Sequence, residues 1–259
     1  MANKPLLEMK QVGVQFGGLK AVSNINLEMY ENELVGLIGP NGAGKTTIFN
    51  LLTGVYPPTE GEIRLQGESI VKLPPYKITQ KGISRTFQNI RLFKELTVLD
   101  NVKAAYHSLA KHSILSSVFR LPSHFSGEKE IEEKAVSFLK IFNLDSKKDE
   151  LAKNLPYGQQ RRLEIARALA ANPKLLLLDE PAAGMNPKET QELMELIRFI
   201  QREFHLSILL IEHDMPLVMG ICQRIIVLDH GQKIAEGSPE EVRNDKRVIE
   251  AYLGEEVVS

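Results

Sequence analysis

The chain has a single cysteine, Cys222, so it forms no intrachain disulfide, which suits a reducing compartment. It has no apolar run near the roughly 20 residues that a membrane-spanning helix needs. The first residues, "MANKPLLEMKQ", lack the apolar core of an export signal. The expectation is a cytoplasmic protein that neither crosses the membrane nor leaves the cell, but that can dock on a membrane partner. Charge of one sign is also missing. The formal net charge of −1 gives no electrostatic reason to expect nucleic acid or an anionic bilayer as partner. The six histidines show no metal-ligand spacing, and His107, His112, His124, His205 and His230 receive no role. There is no internal repeat and no low-complexity tract.

What is present is ordinary for a globular chain of 259 residues: 43% hydrophobic and 25% charged, enough to bury a sizeable core. Three runs, "ELVGLI" (33–38), "LLLLD" (175–179) and "SILLIE" (207–212), are almost continuously apolar. Such runs suit strands of a parallel sheet covered on both faces. Segments 6–16 and 61–67 mix polar and apolar positions and read as antiparallel strands, and 224–237 reads as a strand, a turn and a returning strand. Residues 97–150 carry helical spacing without a strong strand signal. The second of its helical stretches, "GEKEIEEKAVSFLKIFNL", opens on an acidic turn that suits a helix N-terminus. Between them, 113–127 reads as a loop or short helix. Ser238 followed by Pro239 predicts a capped C-terminal helix.

The segment "GLIGPNGAGKTT" matches G-x-x-x-x-G-K-[ST] at Gly39, Gly44, Lys45 and Thr46, between a predicted strand and a predicted helix. Glycines let the backbone of residues 39–47, from Gly39 and Pro40 through Asn41, Gly42 and Ala43 to Thr47, curl so that its N–H groups, which Pro40 alone lacks, surround phosphate oxygens. The following helix adds its positive end. Lys45 supplies a point charge for β- and γ-phosphates, and the Thr46 hydroxyl can ligate Mg²⁺. Downstream, "LLLLDE" places Asp179 and Glu180 at the C-terminal end of a buried strand. Asp179 is positioned to hold the metal, directly or through water, and Glu180 to take a proton from an attacking water. The amide of Gln88 can bind Mg²⁺ or that water, although an isolated glutamine is commonly a solvated loop residue. His213, just past a buried strand, can reach a γ-phosphate or serve the fold. Phe16 can stack on adenine or pack in the core.

The ordered set of Phe16, the loop 39–46, Gln88, the segment 155–159, Asp179–Glu180 and His213 resembles the nucleotide-binding subunit of an ATP-binding-cassette transporter. The resemblance covers essentially the whole chain. It implies an α/β, RecA-like P-loop NTPase core with a small antiparallel β subdomain and an inserted helical subdomain. The expected division is 1–88 with 161–237 for the core, 89–160 for the helical insert, and 238–259 for a helical tail. The resemblance also implies Mg-ATP as cofactor and two cassettes paired head to tail, this chain with a copy of itself or with a sister cassette. Gly158 and Gln159 would then meet the partner's ATP in trans. Hydrophobic permease subunits on the inner face of the cell membrane would be the driven partners, and a substrate-binding protein an indirect one.

The phrases "YGQQRRLEIARALA", "LDEPAAGMNPKET", "LLIEHDMPLVMGIC" and "VIEAYLGE" are similar to the ATP-binding proteins of high-affinity branched-chain amino-acid importers, the LivG type. Lipopolysaccharide-export and urea-uptake cassettes share part of them, and a soluble ATP-driven dimerising clamp is the rival from another class. Two positions depart from the cassette pattern. Where the signature is L-S-G-G-Q, this chain has Leu155-Pro156-Tyr157-Gly158-Gln159, so Pro156 replaces a serine hydroxyl whose charge-assisted bond is worth about 1.5–3 kcal/mol. Asn186 stands where many cassettes carry aspartate, as a turn residue or in cross-talk between the two sites.

Overall fold

A computed structural model describes residues 4–109 and 122–256. The reading of 113–121 as loop or short helix therefore lies outside the described residues, as does His112. The chain divides into two compact units, Met1–Arg85 with Lys174–Ser259, and Thr86–Pro173.

The first unit holds two sheets. The smaller is antiparallel, order β2-β1-β4-β5, from β1 (Leu7–Phe16), β2 (Leu19–Met29), β4 (Glu60–Leu65) and β5 (Glu68–Ser69). Strand β2 is missed by the sequence reading: its burial alternates only in its second half. The larger sheet has six strands in the order β10-β9-β3-β8-β7-β6. They are β3 (Leu34–Ile38), β6 (Ile83–Arg85), β7 (Leu175–Asp179), β8 (Ser207–Ile211), β9 (Arg224–Asp229) and β10 (Gln232–Gly237). All neighbours run parallel except the β9–β10 hairpin. Every residue of β3, β7 and β8 is buried, which is why their sequences show no alternation.

Between the sheets lies α1 (Lys45–Leu52). Ile48, Phe49, Leu51 and Leu52 join the core formed by Leu7, Met9 and Ile63 on one side and Leu37, Leu177 and Leu209 on the other. The unit also carries α2 (Pro75–Lys81). Helix α6 (Pro187–Glu203) starts with a capping box: Asn186 Oδ1 accepts from Glu189 N and Glu189 Oε2 from Asn186 N, each at 3.0 Å. Asn186 is thus the N-cap of this helix. Helix α7 (Met215–Ile221) is capped by Asp214, and α8 (Pro239–Asn244) by Ser238. The tail helix breaks at Asp245 and resumes as α9 (Lys246–Glu256).

The second unit contains α3 (Val98–Leu109), α4 (Pro122–Ile141) and α5 (Tyr157–Ala170), with α3 packed on both others. Its core includes Val98, Val102, Leu139, Phe142, Leu163 and Ala166. Two expectations need correction. Helix α4 already includes residues 122–126, ahead of the acidic turn near residue 127 where the sequence reading opened it. A boundary at 160/161 would cut α5, whose hydrogen-bond ladder runs unbroken to Ala170. The junction falls instead between Pro173 and Lys174.

Candidate functional site

Four adjacent parallel strands, in the order β9-β3-β8-β7, end on the same edge of the large sheet, and the loops after them build the site. The loop after β3 curls through Gly39 (φ 148°), Gly42 (φ 76°) and Gly44 (φ 102°), conformations that side chains rarely adopt. A Cβ on Gly39 would stand 2.1 Å from the Leu228 carbonyl oxygen, so β9 packs directly on the loop. A Cβ on Gly42 would meet nothing within 4 Å, because that side of the loop faces open space. Lys45, the first residue of α1, is buried and donates to the carbonyls of Gly39 (2.5 Å) and Pro40 (2.8 Å).

The loop borders a cleft of about 450 Å³. Asn41, Gly42, Ala43, Gly44, Lys45, Thr46 and Thr47 line it, with Glu180, His213 and His230 facing them and Leu19, Lys20 and Ala21 at one side. Backbone amides, one buried ammonium and the start of an eight-residue helix converge on this space. That donor set fits a chain of phosphates, and the hydroxyl of Thr46 with the carboxylate of Asp179 fits a hard divalent cation such as Mg²⁺.

Glu180 and His213, 33 residues apart, meet across the cleft wall: His213 Nε2 lies 2.9 Å from Glu180 Oε1. With the carboxylate as acceptor, Nε2 carries the hydrogen. Glu180 sits at φ 46°, a left-handed conformation costly for a glutamate, and its amide is fixed on the Ile211 carbonyl of β8. Side-chain exposure is 18% for Glu180 and 45% for His213, so the carboxylate is mostly shielded while the imidazole is open to a ligand.

Four expected residues of this unit, Asp179, Gly39, Pro40 and Phe16, stand elsewhere than on the cleft surface. Asp179 lies beneath it, buried, paired with Arg85 at 2.6 Å. Gly39 and Pro40 form the floor under Lys45. Phe16 is not among the residues lining the cleft; it stands edge-on to Tyr56, ring centroids 4.9 Å apart, with Leu19 and Lys20 taking that side of the site.

Sequence reading missed two residues. His230, dismissed there, lies in the cleft because its turn follows β9 as His213 follows β8. The Gly231 amide donates to the Ala43 carbonyl and the Gly231 carbonyl accepts from Ser23, tying the turn to the phosphate loop. Glu212, buried, accepts from the amides of Ala182 (2.7 Å) and His213 (3.1 Å), bracing both segments that carry the Glu180–His213 pair. Burial pushes its carboxyl above the usual glutamate range, against the lowering effect of those amides. Its only sequence signal is a charge directly after a five-residue apolar strand.

In the second unit, Pro156 is the N-cap of α5 and offers no side-chain bond to the helix. Tyr157 and Gly158 occupy its first two positions, where amides have no intrahelical acceptor. The Gln88 carbonyl accepts from the Arg161 guanidinium of α5 at 2.7 Å, as does the Phe87 carbonyl. Arg161 pairs with Glu164 at 2.8 Å, both fully buried, and Glu164 accepts from the Arg91 amide. Gln88 and the segment 155–159 are thus parts of one hydrogen-bonded body.

A glycine loop opening a helix on a parallel sheet, with a carboxylate–imidazole pair facing it, defines a P-loop nucleotide-binding protein. Residues 22–183, more than half of the chain, match the family described as ABC transporter, and residues 232–258 match the one described as branched-chain amino acid ATP-binding cassette transporter. The chain belongs to the ABC transporter family, through its ATP-binding domain. It is 49% identical over 253 residues to the high-affinity branched-chain amino acid transport ATP-binding protein LivG of Escherichia coli K12, covering 98% of this chain and 99% of that one. Among solved structures it resembles the ADP conformation of MJ1267, an ATP-binding cassette of an ABC transporter, with a TM-score of 0.84, 31% identity and coverage of 97% and 99%. It also resembles the dimeric post-hydrolysis state of the cassette MJ0796 bound to ADP and Pi, with a TM-score of 0.76, 29% identity and coverage of 90% and 98%.

Proposed function

We propose that this chain is the ATP-hydrolysing motor subunit of a branched-chain amino-acid importer, working as one half of a head-to-tail cassette pair on membrane permeases. The observation that carries the proposal is the Glu180–His213 pair facing Lys45 and Thr46 across one cleft. The substrate class rests on the 49% identity to LivG and on the match of residues 232–258.

In this reading ATP lies with its phosphates in the 39–47 loop. Lys45 turns from the Gly39 and Pro40 carbonyls toward the β- and γ-phosphate oxygens. Glu180, polarised and oriented by the His213 N–H, accepts a proton from water attacking the γ-phosphorus, and ADP leaves with inorganic phosphate. Thr46 and Asp179, with Gln88, would hold Mg²⁺, which supplies charge neutralisation on the β- and γ-phosphates. The Gly158 amide and Gln159 would meet the γ-phosphate bound by the partner cassette. Leu19 and Lys20, with Phe16 near by, bound the base and ribose side. Attachment to permeases would place the chain at the inner face of the cell membrane; among the described residues no helix is long and apolar enough to cross it.

The test uses Glu180→Gln, which keeps an acceptor but loses the base. Tagged in the source cell and extracted from membranes with Mg-ATP, it should retain nucleotide and bring down two hydrophobic permeases and a second cassette. Recovery of envelope-export proteins instead would move the assignment to an exporter. Recovery of no membrane protein would overturn the transporter reading.

A further inference from the structure

Asp179 ends β7, and its Oδ2 is held by the guanidinium of Arg85, the last residue of the neighbouring strand β6, at 2.6 Å. The two side chains are only 6% and 8% exposed. Arg85 also donates to Asn50 Oδ1 at 2.8 Å and lies over the Phe49 ring at 5.3 Å. Asn50 and Phe49 belong to α1, the helix that carries Thr46 at its start. One buried cation therefore touches both Asp179 and the helix that carries Thr46, and those two residues are the expected metal ligands of this unit. The hydrolytic scheme above gives it no task.

We infer that Arg85 is a positioning residue for the metal: it fixes Asp179 by Oδ2, leaves Oδ1 to meet Mg²⁺ or its water, and offsets the carboxylate charge so that the ion is retained only together with ATP. The inference rests on the proposed role of Asp179 as metal ligand. Mg²⁺ gives up water reluctantly and is commonly held by one or two carboxylates plus substrate phosphates. In a buried setting a guanidinium at hydrogen-bond distance is little screened, so a second cation approaching the same carboxylate gains less. The phosphates must then supply the missing negative charge, and the metal enters with the nucleotide rather than ahead of it. Removing Arg85 would leave a buried carboxylate without its counter-charge, a state costly enough that any divalent ion would relieve it. Lysine at this position would keep the charge while losing the planar fork.

The experiment titrates the nucleotide-free full-length chain with Mn²⁺ alone, followed by electron paramagnetic resonance, for wild type, Arg85→Met, Arg85→Lys and Arg85→Met/Asp179→Asn. Thermal melting confirms that each is folded, and Arg85→Gln replaces the methionine variant if that one is not. Arg85→Met should bind Mn²⁺ at least about tenfold more tightly than wild type, as expected for unmasking a buried charge. Arg85→Lys should stay close to wild type, and the double variant should lose the gain. An unchanged Mn²⁺ affinity in a folded Arg85→Met, or a gain as large in Arg85→Lys, would overturn the inference and leave Arg85 a strut between α1 and the sheet. Failure of the underlying reading looks different: Asp179→Asn alone would then leave the Mg²⁺-dependence of fluorescent ATP-analogue binding unaltered.

Discussion

At the scale of single residues, the departure at Pro156 and the buried Glu212 each lead to a measurable outcome. Pro156 supplies the extended backbone that an N-cap needs, with φ −55° and ψ 153°, but no hydroxyl. The first two amides of α5 remain to meet an anion, and Lys45, Glu180 and His213 lie in the other unit. Pro156→Ser is therefore expected to raise steady-state ATP turnover by roughly ten- to hundred-fold at most, the worth of one charge-assisted bond of about 1.5–3 kcal/mol, from a baseline already well above background. A rise of several orders of magnitude from near zero would show that the remaining signature contacts do little. Glu212 titrates above its ordinary value of 4.5 because it is buried. The folded chain then holds this proton to higher pH than the unfolded chain does. Its contribution to stability is full below 4.5 and falls as pH rises through the raised folded value. Glu212→Gln should flatten that part of a urea-unfolding pH profile. It should also lower ATP turnover at neutral pH, because an amide presents N–H where the Ala182 or His213 amide needs an acceptor.

At the scale of elements, α5 and the loop 87–91 behave as one piece because of a single buried ion pair. Arg161 donates to the carbonyls of Phe87 and Gln88, Glu164 accepts from Arg91, and Arg91 in turn lies 4.0 Å over the Phe87 ring. Glu164→Ala would leave the guanidinium buried without its counter-charge, a loss of about 3–5 kcal/mol. Amide hydrogen exchange should accelerate across 87–91 ahead of the rest of the helical unit; uniform acceleration would mean that the pair serves global stability only. Helix α6 offers a milder case. Asn186→Ala removes one half of the capping box and should cost about 0.5–2 kcal/mol in chemical denaturation, with ATP affinity unchanged. A drop in ATP affinity would give Asn186 a part in the site beyond capping.

At the scale of the whole molecule, the proposal requires a second cassette. The groups that would complete each site, Gly158 and Gln159, would come from the partner, so pairing should depend on bound ATP. Glu180→Gln with Mg-ATP is expected to double in mass by light scattering when its cognate cassette is present, and to stay monomeric with ADP. If mass is insensitive to nucleotide, closure on ATP is not what drives the permeases. Doubling without any added cassette would identify the partner as a second copy of this chain.

The amino-acid sequence by itself determined the local chemistry. The phosphate loop is legible because its function needs only contiguous backbone: a strand, glycines able to take positive φ, and a helix start. The buried strands β3, β7 and β8 are legible because burial on both faces removes polar residues, and the caps at Ser238 and Pro239 because capping is settled within four residues. Tertiary structure alone decided the rest. The order β9-β3-β8-β7 brings Glu180 to His213, and the pairing of β6 with β7 brings Arg85 to Asp179, 94 positions away. Glu212 and His230 become site residues only once adjacent strands place their ends together. The unbroken ladder of α5, not any change in composition, set the boundary of the helical unit. Sequence patterns report what a residue needs from its neighbours in the chain; strand order, set by which buried faces pack best, selects the distant residues it meets.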